Sequence, residues 1–461
     1  MGRASADDAG MTMDVVVLGA GPAGLAAALL LSTDGHRVTV LERDRAEPSL
    51  GERRGGSQFR QPDVVLPRGL AVLNRQLPEA IAAIEVAGGR RWDLLGGITP
   101  DRRYESLSAG QPVLESALAH VASRVPNLEI RRGVGVSKLL TVWSGGTTGV
   151  PHVRGVVTDE GRTLEAGLVV DAGGGDSPVA AMLGDLQHLS RAAAPPDFGF
   201  DLYSRYFRSS DGTIPSPPAW PLDHHDSVST LALPGDNGTW SLTLVVSRRD
   251  WVMRSLYEER LWDRTAALFP GLREWLEYGR PVTGVLTAPG RCTRRRSPVS
   301  DGRPSVTGLV SVGDAWGTTN PAFCQGLSMA LVQAELLREA VRAHGEPDKM
   351  MLAYEEAAHA ALGPFYDTSL FWEHNRLAEI YAAIRGRRFY GSPNWTAAKA
   401  METAKLADPD VLTAMGDIGS MLASPEEAMS RPGVVGKALA LAAESPAPAL
   451  TRADFLAALS R

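Results

Sequence analysis

The stretch DVVVLGAGPAGLAAALLLSTDGHRVTVLERD, Asp14 to Asp44, constrains the start of this chain more than any other. Val15–Leu18 is a β-branched apolar run that reads as a buried strand. Gly19, Gly21 and Gly24 follow at GxGxxG spacing. The first allows a sharp turn, the second lets a pyrophosphate approach the backbone, and the third lets helix and strand pack closely. An apolar helix then runs through Leu25, Ala28, Leu29 and Ser32, with its N-terminal amides aimed at phosphate. Gly35 ends it, and Val38–Leu41 is the next strand. Glu42 closes that strand, near the roughly 20-residue offset of the acid that accepts from an adenosine ribose. A carboxylate there repels a 2′-phosphate, which disfavours NADP at this site. Strand, turn, helix and acid together predict a dinucleotide site.

A second stretch, SVGDAWGTTNPAFCQGLSMAL from Ser311 to Leu331, indicates which dinucleotide. Leu309–Val312 reads as a buried strand with Gly313-Asp314 at its C-terminal end, where open α/β sheets bind ligands. FAD has a ribityl chain and a flat ring that NAD lacks, and Asp314 is suited to accept from a ribityl hydroxyl. Pro321 stops the chain beside a ring without leaving an unpaired N–H. Gly326 begins a helix with Leu327, Ala330, Leu331, Ala334 and Leu337 on its buried face. The N-terminus of that helix carries about half a positive charge, where a reduced flavin needs support.

The pair GAGPAG…E and GDAWGTTNPAFCQG resembles the flavoprotein monooxygenases of the aromatic-hydroxylase fold, most closely their squalene-epoxidase-like and geranylgeranyl-reductase-like branch. The resemblance covers roughly residues 13 to 345. It places Gly19, Gly21, Gly24 and Glu42 on the ADP half of FAD, Asp314 at the ribityl chain, and Pro321, Gln325 and Gly326 at the isoalloxazine. It implies further cofactor contacts from Ala20, Pro22, Ala23, Arg43, Gln58, Val136 and Leu327, and an arginine, Arg54, toward the pyrophosphate. Gly55–Pro62 would run beside the ring. Three positions depart from the pattern. Cys324 stands where the late motif has its first glycine, beside the flavin or touching substrate. Gln111, in a helix read over Tyr104–His120, stands where the family usually has arginine. In LVVDAGGGDSPV, Gly173 replaces an aspartate linked to NADPH handling, so a separate flavin reductase becomes an alternative electron donor to direct use of NADPH or NADH.

The resemblance implies an α/β protein: a Rossmann-type FAD domain in two parts (1–186 and 293–345), an inserted antiparallel β-sheet substrate domain (187–292) and C-terminal helices (346–461). Gly199–Ser209, Ser227–Pro234 and Thr239–Ser247 alternate apolar and polar residues. Asp236–Gly238 joins the last two as a hairpin. Tyr203, Tyr206, Phe207, Thr230 and Trp240 are candidate pocket walls, with Tyr206, Trp240 and Cys324 carried as substrate contacts. A helical pattern from Asp348 to Gly386 is broken at Gly363-Pro364. Ser424–Glu427 and Thr451–Asp454 are capping boxes that start short helices.

The length, 461 residues, exceeds one ordinary core, and the composition is that of a globular enzyme, 44% hydrophobic and 22% charged. A net charge of −6 gives no footprint for nucleic acid. Arg90–Asp93 and Thr293–Ser297 read as solvated turns, and His224-His225 as a surface loop without metal partners. Cys292 and Cys324 form no disulfide framework, no apolar window spans a membrane, and the N-terminus lacks a signal peptide, so the expected setting is the cytoplasm. The expected partner is a small-molecule substrate, with the chain a monomer or homodimer. The expected reaction moves one oxygen atom from dioxygen, through a flavin hydroperoxide, to a small organic substrate by epoxidation or hydroxylation. The alternative is a dehydrogenase or reductase acting on a C=C bond without oxygen insertion. The tryptophan-rich signature of flavin halogenases is missing.

Overall fold

The computed structural model describes residues 12–46, 61–99, 101–143, 150–184, 198–289, 293–295, 299–300, 303–445 and 450–460. A parallel five-stranded sheet organises it. β1 (Asp14–Leu18) lies between β2 (Arg37–Glu42) and β10 (Leu168–Asp171). β6 (Leu128–Arg132) extends the β2 side, and β20 (Leu309–Ser311) the β10 side. Strands from distant parts of the sequence therefore share one layer.

Alternation along β1 sorts its side chains between two covers. Val15 and Val17 face a core built with α1 (Pro22–Thr33), α4 (Gln111–Ala122) and α8 (Gly326–Ala343). Val16 and Leu18 face the antiparallel sheet β7 (Val136–Trp143), β8 (Pro151–Thr158) and β9 (Thr163–Glu165), with α5 (Val179–Gly184) beside it. α1 is apolar all round because it is covered all round. Beyond its end, Asp34 is clamped by Arg338 and Arg342 of α8.

The insert is an antiparallel sheet ordered β12 (Leu222–His224), β13 (Val228–Pro234), β14 (Thr239–Ser247), β11 (Phe200–Arg208), with β15 (Arg280–Pro281) and β16 (Leu286–Pro289) on the far edge of β11. Asn237 and Gly238 take positive φ in the expected hairpin turn. One face carries Leu202, Leu231, Leu233 and Val245 toward the main core. The other carries Tyr203, Phe207, Trp240, Leu242 and Leu244 into a second core under α6 (Glu259–Ala266), α7 (Pro270–Glu277) and α14 (Arg452–Ser460). Two helices of the insert, α6 and α7, roof the sheet.

Around these lie α2 (Pro67–Gln76), α3 (Pro78–Val86) and a small sheet of β3 (Val64–Val65), β5 (Glu105–Ser108) and β4 (Arg90–Asp93). Two short ladders pair β17 (Arg294–Arg295) with β21 (Gly317–Thr318), and β18 (Val299–Ser300) with β19 (Arg303–Pro304). The C-terminal helices are α9 (Pro347–Ile384), α10 (Pro393–Ala404), α11 (Pro409–Gly419), α12 (Pro425–Met429) and α13 (Val434–Glu444). Ser424 and Glu427 form a full capping box on α12, and Thr451 and Asp454 hydrogen-bond reciprocally at the start of α14. No described helix is long and apolar enough to cross a membrane.

Several local expectations are corrected. Arg90–Asp93 is a strand, because Trp92 is buried and its neighbours pair with β5. Of Tyr104–His120, the first part is β5, and the helix begins only at Gln111. α9 runs unbroken through Pro364, since burial of Leu362 and Phe365 outweighs the lost N–H. His224 lies in β12, its ring 4.8 Å from Trp372. Burial first, and the nearby Arg376, Lys405 and Lys399 next, hold its pKa well below the ordinary histidine value.

Candidate active site

The early turn is built as its glycines require. Gly19 has φ +106°, and a Cβ there would sit 2.5 Å from the Ala172 carbonyl oxygen. A Cβ on Gly24 would sit 2.0 Å from the Gly19 carbonyl. Glu42 reaches back from the end of β2: one carboxylate oxygen accepts the Ala20 N–H at 2.9 Å and the other the Asp44 N–H at 2.9 Å. The acid thus also shapes the turn it follows.

The late motif meets this turn directly. A Cβ on Gly313 would lie 2.8 Å from the Ala23 Cβ, and one on Gly326 would lie 3.8 Å from Asp314 Oδ1. A cavity of about 310 Å³ runs between them, within the range of ligand sites. Gly21, Pro22, Ala23, Arg43 and Gln111 line it from one motif side, and Gly313, Asp314, Pro321, Cys324, Gly326 and Leu327 from the other. Gly173–Asp176 close a further wall. Asp171 holds that loop, accepting the Gly173 N–H and the Ser177 hydroxyl. The N-termini of α1 and α8, with their free amides, thus border one space. These residues fit an elongated cofactor with a phosphate portion and a ring portion.

A second, apolar cavity of about 160 Å³ lies beyond the loop Asn320–Gln325. The Asn320 side chain accepts the Ala322 N–H, Asn320 N donates to Ser369 Oγ, and Cys324 adopts the left-handed region at φ 53°. Cys324 lines both cavities. The remaining walls come from β3, the inner face of the insert and α9 to α12.

Residues 12–195 match the family model described as FAD binding domain. A kynurenine 3-monooxygenase of Salinispora arenicola is 28% identical over 382 residues, covering 74% of this chain and 75% of the relative. A rifampicin monooxygenase of Streptomyces venezuelae is 34% identical over 175 residues, 37% of this chain and 34% of the relative. The crystal structure of PqsL, a probable FAD-dependent monooxygenase from Pseudomonas aeruginosa, superposes with TM-score 0.61 at 17% identity, covering 80% of this chain and 100% of that one.

The front of this chain is an FAD-binding domain, and the chain is similar to FAD-dependent monooxygenases.

The positions expected from sequence divide clearly. Gly21, Pro22, Ala23, Arg43, Gln111, Asp314, Pro321, Cys324, Gly326 and Leu327 border the first cavity, while Gly19, Ala20, Gly24 and Glu42 shape the turn at its edge. Gln325 faces the second cavity instead. Arg54, Gln58 and Cys292 lie outside the described residues. Val136 opens β7, packed against the sheet's other cover and away from the cavity lining. Trp240 is no pocket wall: it is 0% exposed in the second core, stacked on Phe207, with its indole N–H donating to the Trp275 carbonyl. Tyr203 and Phe207 share that core, and Thr230 points the same way, because register sends alternate residues of β11, β13 and β14 outward. Tyr206 shares the inward parity of Leu202 and Ser204 but borders neither cavity.

Sequence reasoning missed Asp63, which borders the first cavity. Burial, with the Asp314 charge adding, pushes its carboxyl up to about 7, against the hydrogen bond it accepts from Val64 N. Gln61 and Pro62, the described end of the stretch expected beside the ring, line the first cavity, and the Gln61 carboxamide oxygen accepts the Ser204 hydroxyl at 2.6 Å, which ties the cavity wall to the insert. No sequence pattern marks Asp63, since its place follows from where β3 docks.

Proposed function

We propose that the first cavity seats FAD and the second seats the substrate, with the loop around Cys324 between them. What carries this reading is the meeting of two glycine-rich turns, far apart in the sequence, around one cavity. The Gly21 amide and the N-terminus of α1 take the pyrophosphate. Glu42, at the end of β2, accepts from the adenosine ribose. Asp314 accepts from the ribityl chain, and the α8 N-terminus supports negative charge at the ring's pyrimidine edge. Gln111 and Arg43 add donors along the channel. Residues 1–186 and 293–345 are the two parts of this FAD domain, 187–292 the substrate-side insert, and 346–461 the helical cover.

Bound FAD, once reduced, supplies the activation of dioxygen. The protein's part is to hold the substrate against the ring and keep water out. The apolar walls of the second cavity and the packed Pro321–Cys324 turn do both. The substrate is a small organic molecule that gains one oxygen atom. NADPH or NADH supplies the electrons, directly or through a separate flavin reductase. The relatives named for kynurenine and rifampicin fit this reaction type.

The deciding experiment takes the visible spectrum of the purified protein, then follows oxygen consumption with NADPH or NADH, alone and with an added flavin reductase, under labelled dioxygen. A flavin spectrum with one labelled oxygen atom in an organic product is the expected result. A protein that binds flavin yet reduces a C=C bond without consuming oxygen would make the reading wrong.

A further inference from the structure

The second cavity has an unusual polar complement. Among the described residues lining it, Glu402 of α10 is the one charged side chain. One of its oxygens accepts from Lys405 Nζ at 2.8 Å. The same ammonium also donates to the Leu222 carbonyl at 3.1 Å and reaches Asp223 at 3.1 Å. A lysine has three N–H donors, so all three are committed. The nearest cation is thus unavailable to an incoming anion, and Lys399, which also attracts Glu402, is already paired with Glu379 at 3.3 Å.

A further polar group on the wall is an acceptor as well. Gln325 is 8% exposed, lines the cavity, and its carboxamide oxygen is buried with no hydrogen-bond partner among the described residues. A buried acceptor left alone is costly, so the site is completed by a ligand that donates. The remaining walls are apolar: Trp220, Leu231, Trp372, Met401 and Met415 are among them. A dry apolar cavity of about 150 Å³ takes a benzene-sized guest, and this one measures about 160 Å³.

We propose that Glu402 sets specificity in this cavity, accepting from an uncharged, benzene-sized apolar group that carries an O–H or N–H donor, and that carboxylate-bearing groups are excluded; this rests on the reading of the cavity as the substrate site. The donor meets the free Glu402 oxygen, and the ring's apolar body meets the methionines and tryptophans.

The test uses the flavin-loaded protein at pH 7.5 and reads binding from perturbation of the flavin absorbance. The probes are 4-ethylphenol, ethylbenzene and 4-ethylbenzoate, which share one ethylphenyl body and differ in donor and charge. The expected order is 4-ethylphenol at least about tenfold tighter than ethylbenzene, as a hydrogen bond to a charged acceptor predicts, with no saturable binding of 4-ethylbenzoate. Glu402→Gln, which keeps the shape and removes the charge, should shrink the phenol preference severalfold and admit 4-ethylbenzoate. Ala398→Leu, which fills the cavity and leaves Glu402 in place, should weaken both neutral probes together. If Glu402→Gln does not retain flavin, the wild-type ranking and Ala398→Leu decide. Equal binding of 4-ethylbenzoate and 4-ethylphenol to the wild type, an unchanged ranking in Glu402→Gln, or indifference to Ala398→Leu would overturn the proposal. A protein that ranks the probes as expected but inserts no oxygen would leave this specificity standing and refute the reaction alone.

Discussion

Gly313 packs against Ala23: a Cβ on the glycine would lie 2.8 Å from the alanine methyl, and the glycine holds φ at +61°. The two dinucleotide motifs are therefore in contact. Gly313→Ala meets two penalties, the left-handed backbone, about 1–2 kcal/mol for a side-chain-bearing residue, and the collision with α1. The expected result is a lower melting temperature and flavin lost on dialysis. Adding Ala23→Gly relieves only the collision, so the double variant should recover part of the flavin occupancy. Equal losses in both would show that the contact itself matters little.

Glu42 accepts two backbone N–H groups at the edge of the early turn. Glu42→Ala leaves both donors without this partner, at about 1–3 kcal/mol each where they stay dry. Flavin affinity, read by the fluorescence of released flavin, should fall by more than about tenfold. Glu42→Gln keeps one acceptor oxygen and should fall between.

Asp63 has its folded-state carboxyl raised to about 7, through burial first and the Asp314 charge second. Between the unfolded value, about 3.9, and 7, the folded flavin-free protein binds more protons than the unfolded chain. Its stability therefore declines as pH rises through that window and levels off above it. Glu355, raised to about 7 by burial, acts in the same sense. Urea unfolding of the flavin-free protein at pH 5 and pH 8 measures the slope. Asp63→Asn should flatten it, and a slope unchanged by that substitution contradicts the assignment.

Cys324 combines a left-handed backbone with a thiol whose pKa burial raises far above the ordinary value. It should resist thiol reagents in the folded protein and react on unfolding. Cys324→Gly suits the backbone and opens the wall shared by the two cavities. Flavin should stay bound while more of the consumed oxygen appears as hydrogen peroxide. Cys324→Val places a β-branched residue in the left-handed region and should cost stability instead.

Phe455 of α14 is fully buried in the second core, stacked on Phe269 at 5.4 Å between ring centroids. Phe455→Ala should cost about 3–5 kcal/mol, as for other fully buried phenylalanines. The loss should appear in thermal unfolding with the flavin spectrum of the folded fraction unchanged, since this core faces away from both cavities.

The chemistry of the cofactor end was legible because backbone geometry enforced it locally. Gly19 at φ +106° and Gly24 against the Gly19 carbonyl admit no side chain, so those letters report a conformation. The strand before them, the helix after them and Glu42 at the strand's end are all short-range consequences of one turn. The capping box at Ser424 was readable for the same reason, its bonds spanning three residues. Other features depended on partners far along the chain. Trp240 looked like a pocket wall, and only the docking of α7 and α14 turned its face of the sheet into a core. Pro364 looked like a break, and only burial on both sides kept α9 whole. Asp63 acquired its raised pKa from being set in a cavity beside Asp314.

The letters alone fixed that a glycine turn would cradle a dinucleotide and that a second turn, ending in a helix start, would need a ring-bearing one. Those demands are local: a missing Cβ, a fixed φ, an orphaned amide. Which aromatic residues wall the second cavity, and that Glu402 of α10, the one carboxylate among its described lining residues, meets it with Lys405 already engaged, was decided only when sheet, loop and C-terminal helices packed. Side-chain direction across a sheet and the satisfaction of buried charges belong to the assembled molecule.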